Sequence, residues 1–126
     1  LSNVHGLPDG LYLLEGDILK TLDRDTNPAY LAGACLGQSW MAEANLLLIW
    51  TCDLAGLEKT YGPRGYRYAH IAAGQGSQLA YVAASAAQMG SCAVGAFFDS
   101  EISDLLGLGD DEAVLLVNCV GNIKAG

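Results

Sequence analysis

Residues 61–97 read YGPRGYRYAHIAAGQGSQLAYVAASAAQMGSCAVGAF. We predict one long helix over about Gly65–Met89, made almost wholly of small residues and ended by Gly90 as its C′ residue. Inside it, Gly74 and Gly76 should each cost about 1 kcal/mol relative to alanine. A helix tolerates that cost when a backbone or a flat ligand must come close, or when it is a buried central helix held by its neighbours. Both interpretations are open at this point.

A basic, tyrosine-rich cluster stands just before this helix. The chain has only 6 Lys and Arg against 14 Asp and Glu, so concentrating half of its positive charge in one short segment suggests a small anionic ligand. Alternatively, the arginines pair with acidic neighbours and the tyrosines fill an interface. The cluster consists of Lys59, Arg64 and Arg67, interleaved with Tyr61, Tyr66 and Tyr68.

Composition limits the remaining possibilities. With 126 residues, 52% of them hydrophobic, the chain should form a single packed domain over residues 1–126. A net charge of −8 argues against nucleic-acid binding, because a phosphate backbone needs a basic face. The apolar runs, of which Leu46–Trp50 is one, are too short to span a bilayer or to serve as a signal peptide. We therefore expect a cytoplasmic protein without membrane contact.

The cysteines and histidines do not predict a metal site. The cysteines form no C-x-x-C pair, and His5 and His70 are isolated, so metal-ligand spacing is absent. The favoured interpretation is buried free thiols, and a reactive or disulfide role is the alternative. The four cysteines are Cys35, Cys52, Cys92 and Cys119.

The rest of the chain reads as a mixture of short strands and helices, which predicts an α+β or α/β domain. The strands are too few for a complete sheet, so we expect part of it to lie upstream or to come from a partner. Before the long helix, the predicted elements are a hairpin of Leu11–Leu14 with Ile18–Leu22, a helix from Pro28 to about Leu36 capped by Asn27, a short helix at Ser39–Ala44, a strand at 45–52 buried on both faces, and a short helix at Leu54–Thr60. After it come a strand or extended loop at Cys92–Phe97, a helix capped by Asp99 or Ser100 that runs through Leu106 and stops at Gly107, and an apolar strand at Ala113–Val120.

The segment that follows the long helix is bracketed by glycines. Gly90, Ser91 and Gly95 keep bulky side chains away, so backbone N–H and C=O groups there are free to face a ligand. The segment is no phosphate-binding fingerprint, since neither G-x-x-x-x-G-K-[ST] nor G-x-G-x-x-G after a strand is present. The serines lack a G-x-S-x-G context, which argues against a serine hydrolase.

Taken as one string, this region resembles the FMN-dependent nitroreductase superfamily, and within it the SagB-type branch that includes azoline dehydrogenases of thiazole/oxazole-modified peptides. That branch shows Y-G-x-R-G-Y-R-Y, matched by residues 61–68, then a glycine and a glutamine in the helix, matched by Gly74 and Gln78. Its G-x-x-x-x-G-[AG]-F turn is matched by Gly90–Phe97. GLPDGLYLL and ACLGQSW resemble two further family segments, so the resemblance covers nearly the whole chain.

The resemblance implies a nitroreductase-like α+β fold, with a mixed sheet around a long central helix, that forms an intertwined homodimer with FMN at the subunit interface. It implies flavin contacts from Ser91, Cys92, Ala93, Val94 and Gly95, whose backbone N–H groups would stabilise the reduced ring. Phosphate or substrate contacts are expected from Arg64, Arg67 and Lys124. NAD(P)H is the implied electron donor, and an azoline-containing peptide is one possible substrate class.

Two departures from the family pattern bear on these expectations. Relatives carry an upstream R-R-S-x-R stretch that holds the FMN phosphate, and this sequence has none. We therefore expect the chain to be the C-terminal portion of the family domain: a fragment, a truncated form, or half of a split enzyme that joins a separate N-terminal chain. Azoline dehydrogenases also carry an adjacent Lys-Tyr pair as base and acid, whereas Thr60 separates Lys59 from Tyr61 here.

Two functions compete at this point. The first is an FMN-dependent oxidoreductase that transfers hydride through the flavin, with Lys59 and Tyr61 as the catalytic candidates. The second is a degenerate or split flavin-fold module that binds a partner or peptide without turning over alone.

Overall fold

The elements alternate between short strands and helices in a computed structural model that describes residues 1–24 and 27–123. The strands are β1 (Leu11–Glu15), β2 (Ile18–Leu22), β3 (Leu46–Asp53), β4 (Gly90–Val94) and β5 (Glu112–Gly121), and the helices are α1 (Pro28–Ala34), α2 (Leu54–Tyr61), α3 (Arg64–Ala86) and α4 (Asp99–Leu106), with a 3₁₀ helix at Ser39–Glu43.

Strands β3, β4 and β5 form one antiparallel sheet in the order β3-β5-β4. β5 is the central strand and is mostly buried, because helices cover both of its faces. β3 was expected to be buried on both faces, and this is wrong: it lies at an edge of the described sheet and is mostly half-buried. Its unbroken apolar run resembles that of a central strand, and periodicity alone does not distinguish the two positions.

A β-bulge in β5 divides its side chains between two hydrophobic cores. Trp50 of β3 stands opposite Leu116, but the next residue, Thr51, stands opposite Val114, so Leu115 is the extra residue. The bulge lets the neighbours Leu115 and Leu116 both pack in the core beneath α3. The other core, on the side of α1 and α4, contains Val114 and Val117.

Two glycines allow α3 to lie close to its neighbours. A Cβ on Gly76 would be 2.5 Å from the ring of Trp50, and a Cβ on Gly65 would be 2.7 Å from the backbone of Leu57 in α2. Both positions therefore need glycine for packing. Gly74 is different, because no atom of the described residues lies within 4 Å of the position its Cβ would take.

Within the described part of the chain, α3 buries one face only. The buried positions recur along that face, and the opposite face is exposed although several of its residues are large and apolar. The interpretation of a helix buried on all sides is thus wrong for the chain by itself. The buried residues are Gly65, Ala69, Ala73, Ser77 and Ala84, and the exposed apolar ones include Tyr68, Ile71, Leu79 and Val82.

α3 ends three residues earlier than expected, and Gly90 is not its C′ residue. Gln88 takes the left-handed conformation instead, with a φ of 58°. The N–H of Gln88 bonds the carbonyl of Ser85, and the N–H of Met89 bonds that of Ala84, which is the Schellman pattern. Gly90 is therefore free to begin β4.

The caps of the shorter helices follow the sequence only in part. The Asn27 side chain accepts a hydrogen bond from the N–H of Ala29, as predicted for the start of α1. Gly107 ends α4 in the left-handed conformation, also as predicted. Asp99 and Ser100 do not cap α4, because the N-cap is Phe98, whose N–H bonds the carbonyl of Ala34 in α1.

Strands β1 and β2 form the predicted hairpin as a separate two-stranded sheet, in which Glu15 stands opposite Ile18. Its residues are exposed or half-buried, including the large side chains of Leu14 and Ile18. A salt bridge between Lys20 and Glu15 closes its turn. The hairpin is thus held chiefly by its own pairing.

The two glycines of α3 give a matched test of this packing. Gly74→Ala should raise the free energy of unfolding by about 0.5–1 kcal/mol, because alanine favours helix and the position is open. Gly76→Ala should lower the free energy of unfolding despite the same gain in propensity, because the indole of Trp50 must move. Urea unfolding of both variants compares them directly. Equal effects of the two substitutions would contradict the close contact between Gly76 and Trp50.

Candidate functional site

Four of the five expected flavin-contact residues lie in a strand and not in a turn. Ser91 to Val94 belong to β4, which forms the other edge of the described sheet, and only Gly95 lies beyond it. β4 pairs with β5 on one side, so along its outer side the backbone groups of alternate residues face away from the sheet. The site is therefore an open strand edge that leads into a glycine turn.

The N–H groups along this edge are not equivalent. That of Ala93 donates a 2.8 Å hydrogen bond to the hydroxyl of Tyr81 in α3, so it is already used within the chain. Gly95 is exposed, nothing lies within 4 Å of where its Cβ would be, and its N–H makes no hydrogen bond with the described residues. Gly95 therefore offers the free backbone donor at the end of β4.

The start of β4 lies beside the end of β5. Gly90 stands opposite Gly121, and a Cβ on Gly90 would be 3.3 Å from the side chain of Ile123. Lys124, the expected phosphate contact, comes next and lies outside the described residues. Because a strand rises about 3.3 Å per residue, Gly90 and Gly95 are roughly 16 Å apart along the edge.

The basic cluster lies at the corner between α2 and α3. Lys59 is in the last turn of α2, and Arg64 and Arg67 are in the first turns of α3, all three exposed. In residues 1–24 and 27–123, no ion pair joins Arg64 or Arg67 to a carboxylate. The alternative in which the arginines pair with acidic neighbours is thus not what the described part of the chain shows.

The aromatic rings of this corner contact one another. Tyr61 and Tyr68 are in an edge-to-face arrangement with centroids 5.4 Å apart, and Tyr66 lies 4.3 Å from the ring of His70. The His70 Nδ1 is 3.0 Å from the carbonyl oxygen of Tyr66. Among the described residues, no hydrogen bond joins Lys59 to Tyr61. The corner is therefore an ordered aromatic surface with its cations directed to solvent.

One chain does not bring this corner to the β4 edge. Tyr81, which contacts Ala93, is separated from Arg67 by fourteen residues of α3, or about 21 Å at 1.5 Å per residue. The two groups of expected cofactor residues therefore form two separate surfaces within the chain.

Two buried polar atoms near β4 have no partner among the described residues. They are the Ser91 Oγ and the Asn118 Nδ2. Asn118 is fully buried, stands opposite Ala93 in the register, and accepts a 2.8 Å hydrogen bond from Trp50 Nε1 on its Oδ1. Such unsatisfied groups are uncommon in folded proteins and mark this part of the sheet as unusual.

Sequence reasoning missed Tyr81 and Asn118 as parts of this region. Asn118 did carry a signal, because it is the one amide in the apolar run AVLLVNCV. Tyr81 carried none, since its role depends on the distance between α3 and β4, which the sequence does not give.

A cavity of about 580 Å³ lies at the start of β4, on the side of the 3₁₀ helix. Its lining includes Trp40, Asn45, Ser91, Cys92, Cys119 and Asn122.

The thiols differ in exposure and in acidity. Cys35 and Cys119 are buried, Cys52 is half-buried and Cys92 is exposed, so the expectation of four buried thiols is wrong for Cys92. Burial, with smaller contributions from Cys92 and Cys35, raises the pKa of Cys119 to about 12. Burial likewise raises the pKa of Cys35.

The described residues form neither a metal site nor a membrane-spanning helix. No group of three or more His, Cys, Asp or Glu there is placed to hold a metal ion. Of the helices described, none combines the length and the apolar character needed to cross a bilayer.

Comparison with known proteins decides the family. The model of the nitroreductase family matches residues 7–122. The chain belongs to the nitroreductase family. A protein of Methanocaldococcus jannaschii that is named as a nitroreductase is 33% identical over 109 residues, which are 84% of this chain and 54% of that protein. The superfamily expected from the sequence is thus confirmed.

Solved structures confirm the nitroreductase fold. A crystal structure from Anabaena variabilis, also named as a nitroreductase, superposes with a TM-score of 0.88 at 31% identity, covering 95% of this chain and 25% of that one. The NADPH:FMN oxidoreductase of Vibrio harveyi, solved with NAD⁺, gives a TM-score of 0.66 at 19% identity over 79% of this chain and 46% of that one. The chain therefore spans about half of the archaeal relative and a quarter of the Anabaena chain.

Proposed function

We propose that this nitroreductase-family chain takes part in an FMN-dependent oxidoreductase, of the SagB type, in which a single nitroreductase-like domain includes residues 1–126. The observation that carries the proposal is the free backbone edge of β4 ending at Gly95, within a chain matched by the family over residues 7–122. When bound, FMN would supply hydride transfer between NAD(P)H and an acceptor.

The residues at the end of β4 fit a flat, polar ring. Gly95 has no side chain and open space around it, so a ring could approach its backbone closely. Its unpaired N–H would then donate a hydrogen bond and stabilise negative charge that develops on the reduced ring. Ala93 is a weaker candidate as a donor, because Tyr81 already accepts from its N–H. We assign Ala93, with Cys92 and Val94, to shaping the edge.

The start of β4 fits the polar end of the cofactor. The edge is roughly 16 Å long, which is long enough for a ring at Gly95 and a phosphate near Gly90. The Ser91 Oγ is buried and has no hydrogen-bond partner among the described residues. Its hydroxyl is therefore available to the part of FMN that joins the ring to the phosphate. We propose that Lys124, which follows Ile123 beside Gly90, contributes a positive charge to the phosphate.

The basic corner fits a different role from the β4 edge. Because Arg64 and Arg67 lie about 21 Å or more along α3 from Tyr81, we propose that they meet an anionic substrate group or the cofactor of a second subunit. Lys59 and Tyr61, exposed at the same corner, are the candidates for base and acid on that substrate. An azoline-containing peptide is the substrate class that the SagB-type motif favours.

The exposed face of α3 supports a homodimer. Ile71, Leu79 and Val82 are 58%, 69% and 57% exposed, an unusual density of large apolar side chains on a single helix face. Gly74, on whose Cβ position nothing in the chain impinges, would allow a partner backbone to approach there. We propose that a second copy covers this face and that a separate N-terminal chain is the alternative partner.

A flavin-fold module without turnover is the second candidate. The observation that favours it is the separation of the basic corner from the β4 edge within one chain. The absorbance spectrum of the purified chain, recorded with and without added FMN and NADPH, separates the two: bleaching of a bound flavin by NADPH supports the enzyme, and a flavin that stays oxidised supports the module.

Gly95 is the position at which ring binding is tested. Gly95→Val should abolish FMN binding because the added methyl groups occupy the space over the backbone N–H, while the fold is retained since no atom lies within 4 Å. Gly95→Ala should weaken binding less. Gly109→Val, at another exposed loop glycine outside the left-handed region, is the matched control. Unchanged FMN affinity in Gly95→Val would remove this residue from the site.

The affinity for FMN should be low in residues 1–126 alone. Residues 1–126 do not include the R-R-S-x-R stretch that the family resemblance assigns to the FMN phosphate. Hydrogen bonds to charged groups contribute roughly 1.5–3 kcal/mol each, so without two such arginine contacts the affinity for FMN falls by about two to four decades. We expect a Kd on the order of micromolar or weaker, measured by quenching of FMN fluorescence. Nanomolar binding would contradict this expectation and would show that Arg64 or Arg67 joins Lys124 at the phosphate.

Assembly depends on the exposed face of α3. Light scattering at micromolar concentration should show a dimer, and Leu79→Glu should dissociate it because a carboxylate would be buried in an apolar contact. Thr21→Glu, at an exposed position of the hairpin, should leave the dimer intact. A monomer of 13.2 kDa for the unsubstituted chain would refute the homodimer.

A further inference from the structure

Two thiols face each other across neighbouring strands of the sheet. Cys92 of β4 and Cys119 of β5 are direct register partners in the antiparallel pair. Residues directly opposite in such a pair project to the same side of the sheet, so both sulfur atoms lie on one face. Both cysteines are free.

The spacing of this pair suits a disulfide. The N–H of the neighbouring Ala93 points away from β5, toward Tyr81, so by alternation Cys92 and Cys119 form the hydrogen-bonded type of pair. The Cα atoms in such a pair are about 5.5 Å apart, and disulfides most often join Cα atoms about 5.5–6 Å apart. The Cα spacing therefore suits a disulfide, whereas the Cβ atoms, about 4.5–5.5 Å apart in such pairs, must move closer to reach the roughly 3.5–4.5 Å of the bonded state.

Solvent has direct access to one of the two thiols and not to the other. Cys92 is exposed, whereas Cys119 is 4% exposed, and both line the cavity of about 580 Å³ beside the 3₁₀ helix. A small oxidant can thus reach Cys92 first, and Cys119 lies behind it. The arrangement places an attackable thiol next to a second thiol that can resolve the product.

We propose that Cys92 and Cys119 are a modification site for a hydroperoxide oxidant, which converts the two thiols into an intramolecular cross-strand disulfide. In the first step the Cys92 sulfur, as thiolate, attacks a peroxide oxygen and the O–O bond breaks, so that Cys92 becomes a sulfenic acid. The leaving oxygen takes up the proton that the Cys92 thiol gave up, which releases water when the oxidant is hydrogen peroxide. In the second step the Cys119 sulfur attacks the Cys92 sulfur, the S–O bond breaks, and the proton from Cys119 leaves with the hydroxide as water. For hydrogen peroxide, two thiols and one peroxide give one disulfide and two waters.

The second step should be the slower one near neutral pH. Burial raises the pKa of Cys119 to about 12, so only a small fraction of it is thiolate. At pH values below that pKa, the thiolate fraction of Cys119 rises about tenfold for each unit by which the pH is raised. Disulfide formation should therefore accelerate with pH after Cys92 has been oxidised.

Cys35 is the competing partner. It contributes to the raised pKa of Cys119 and so lies near it, but it is fully buried in the core on the side of α1 and has no strand register with Cys119. A peroxide has no direct access to it. We therefore assign the disulfide to the exposed thiol.

The test treats the purified chain with hydrogen peroxide and follows its mass and its free thiols. The expected product is a monomeric chain lighter by about 2 Da, with two of the four thiols lost and a Cys92–Cys119 linked peptide after digestion. Cys92→Ser should abolish the product. Cys52→Ser is the matched control, since Cys52 lies on β3 with a half-buried thiol, and it should leave the product unchanged.

Other outcomes would overturn the proposal. Accumulation of Cys92 sulfinic acid with no linked peptide would show that Cys119 does not resolve the sulfenic acid. A Cys35–Cys119 peptide, or a disulfide between two chains, would place the oxidation elsewhere. Cys119→Ala should likewise give no linked peptide. If that variant does not fold, Cys92→Ser alone decides the question, because Cys92 is exposed and its substitution leaves the core intact. The chain is treated free of FMN, because Cys92 also belongs to the β4 edge proposed to bind the cofactor, where a bound flavin would shield its thiol.

Discussion

The structure depends on how closely α3 approaches the sheet. Gly76 lets the ring of Trp50 lie against the helix, and Trp50 in turn donates to Asn118 on the central strand. Asn118 stands opposite Ala93, whose N–H returns to α3 through the Tyr81 hydroxyl. This closed series of contacts begins and ends on α3. A larger residue at Gly76 would therefore displace the helix and the strand edge together, and the candidate site is positioned by the packing of the core.

Element types were largely predictable because they depend on local signals. The hairpin around Gly16, the Asn27 cap of α1 and the Gly107 stop of α4 follow from turn and cap chemistry within a few residues. The end of α3 was not predicted, because Gln88 adopts a conformation that glycine usually takes. The cap of α4 was missed for another reason: the N–H of Phe98 bonds α1, and that contact is tertiary.

The candidate site was predictable only as a segment. The glycines of GSCAVG indicated backbone groups facing outward, and β4 does present such an edge. The sequence could not give the distances between α3, the β4 edge and the basic corner. It did not show that Tyr81 already occupies the N–H of Ala93, nor that the basic corner lies far along α3 from that edge. Proximity in sequence suggested one site, but a helix of 23 residues separates its two halves.

The contrast between β5 and the hairpin has a consequence for how the chain opens. β5 is enclosed by strands on both sides and helices on both faces, whereas β1 and β2, among the described strands, pair only with each other and bury little. Amide hydrogens of β5 should therefore exchange with deuterium only when the whole domain unfolds. Those of the hairpin should exchange through a local opening that leaves the rest folded. The described part of the chain thus consists of a cooperative unit around β5 and a hairpin that opens independently of it.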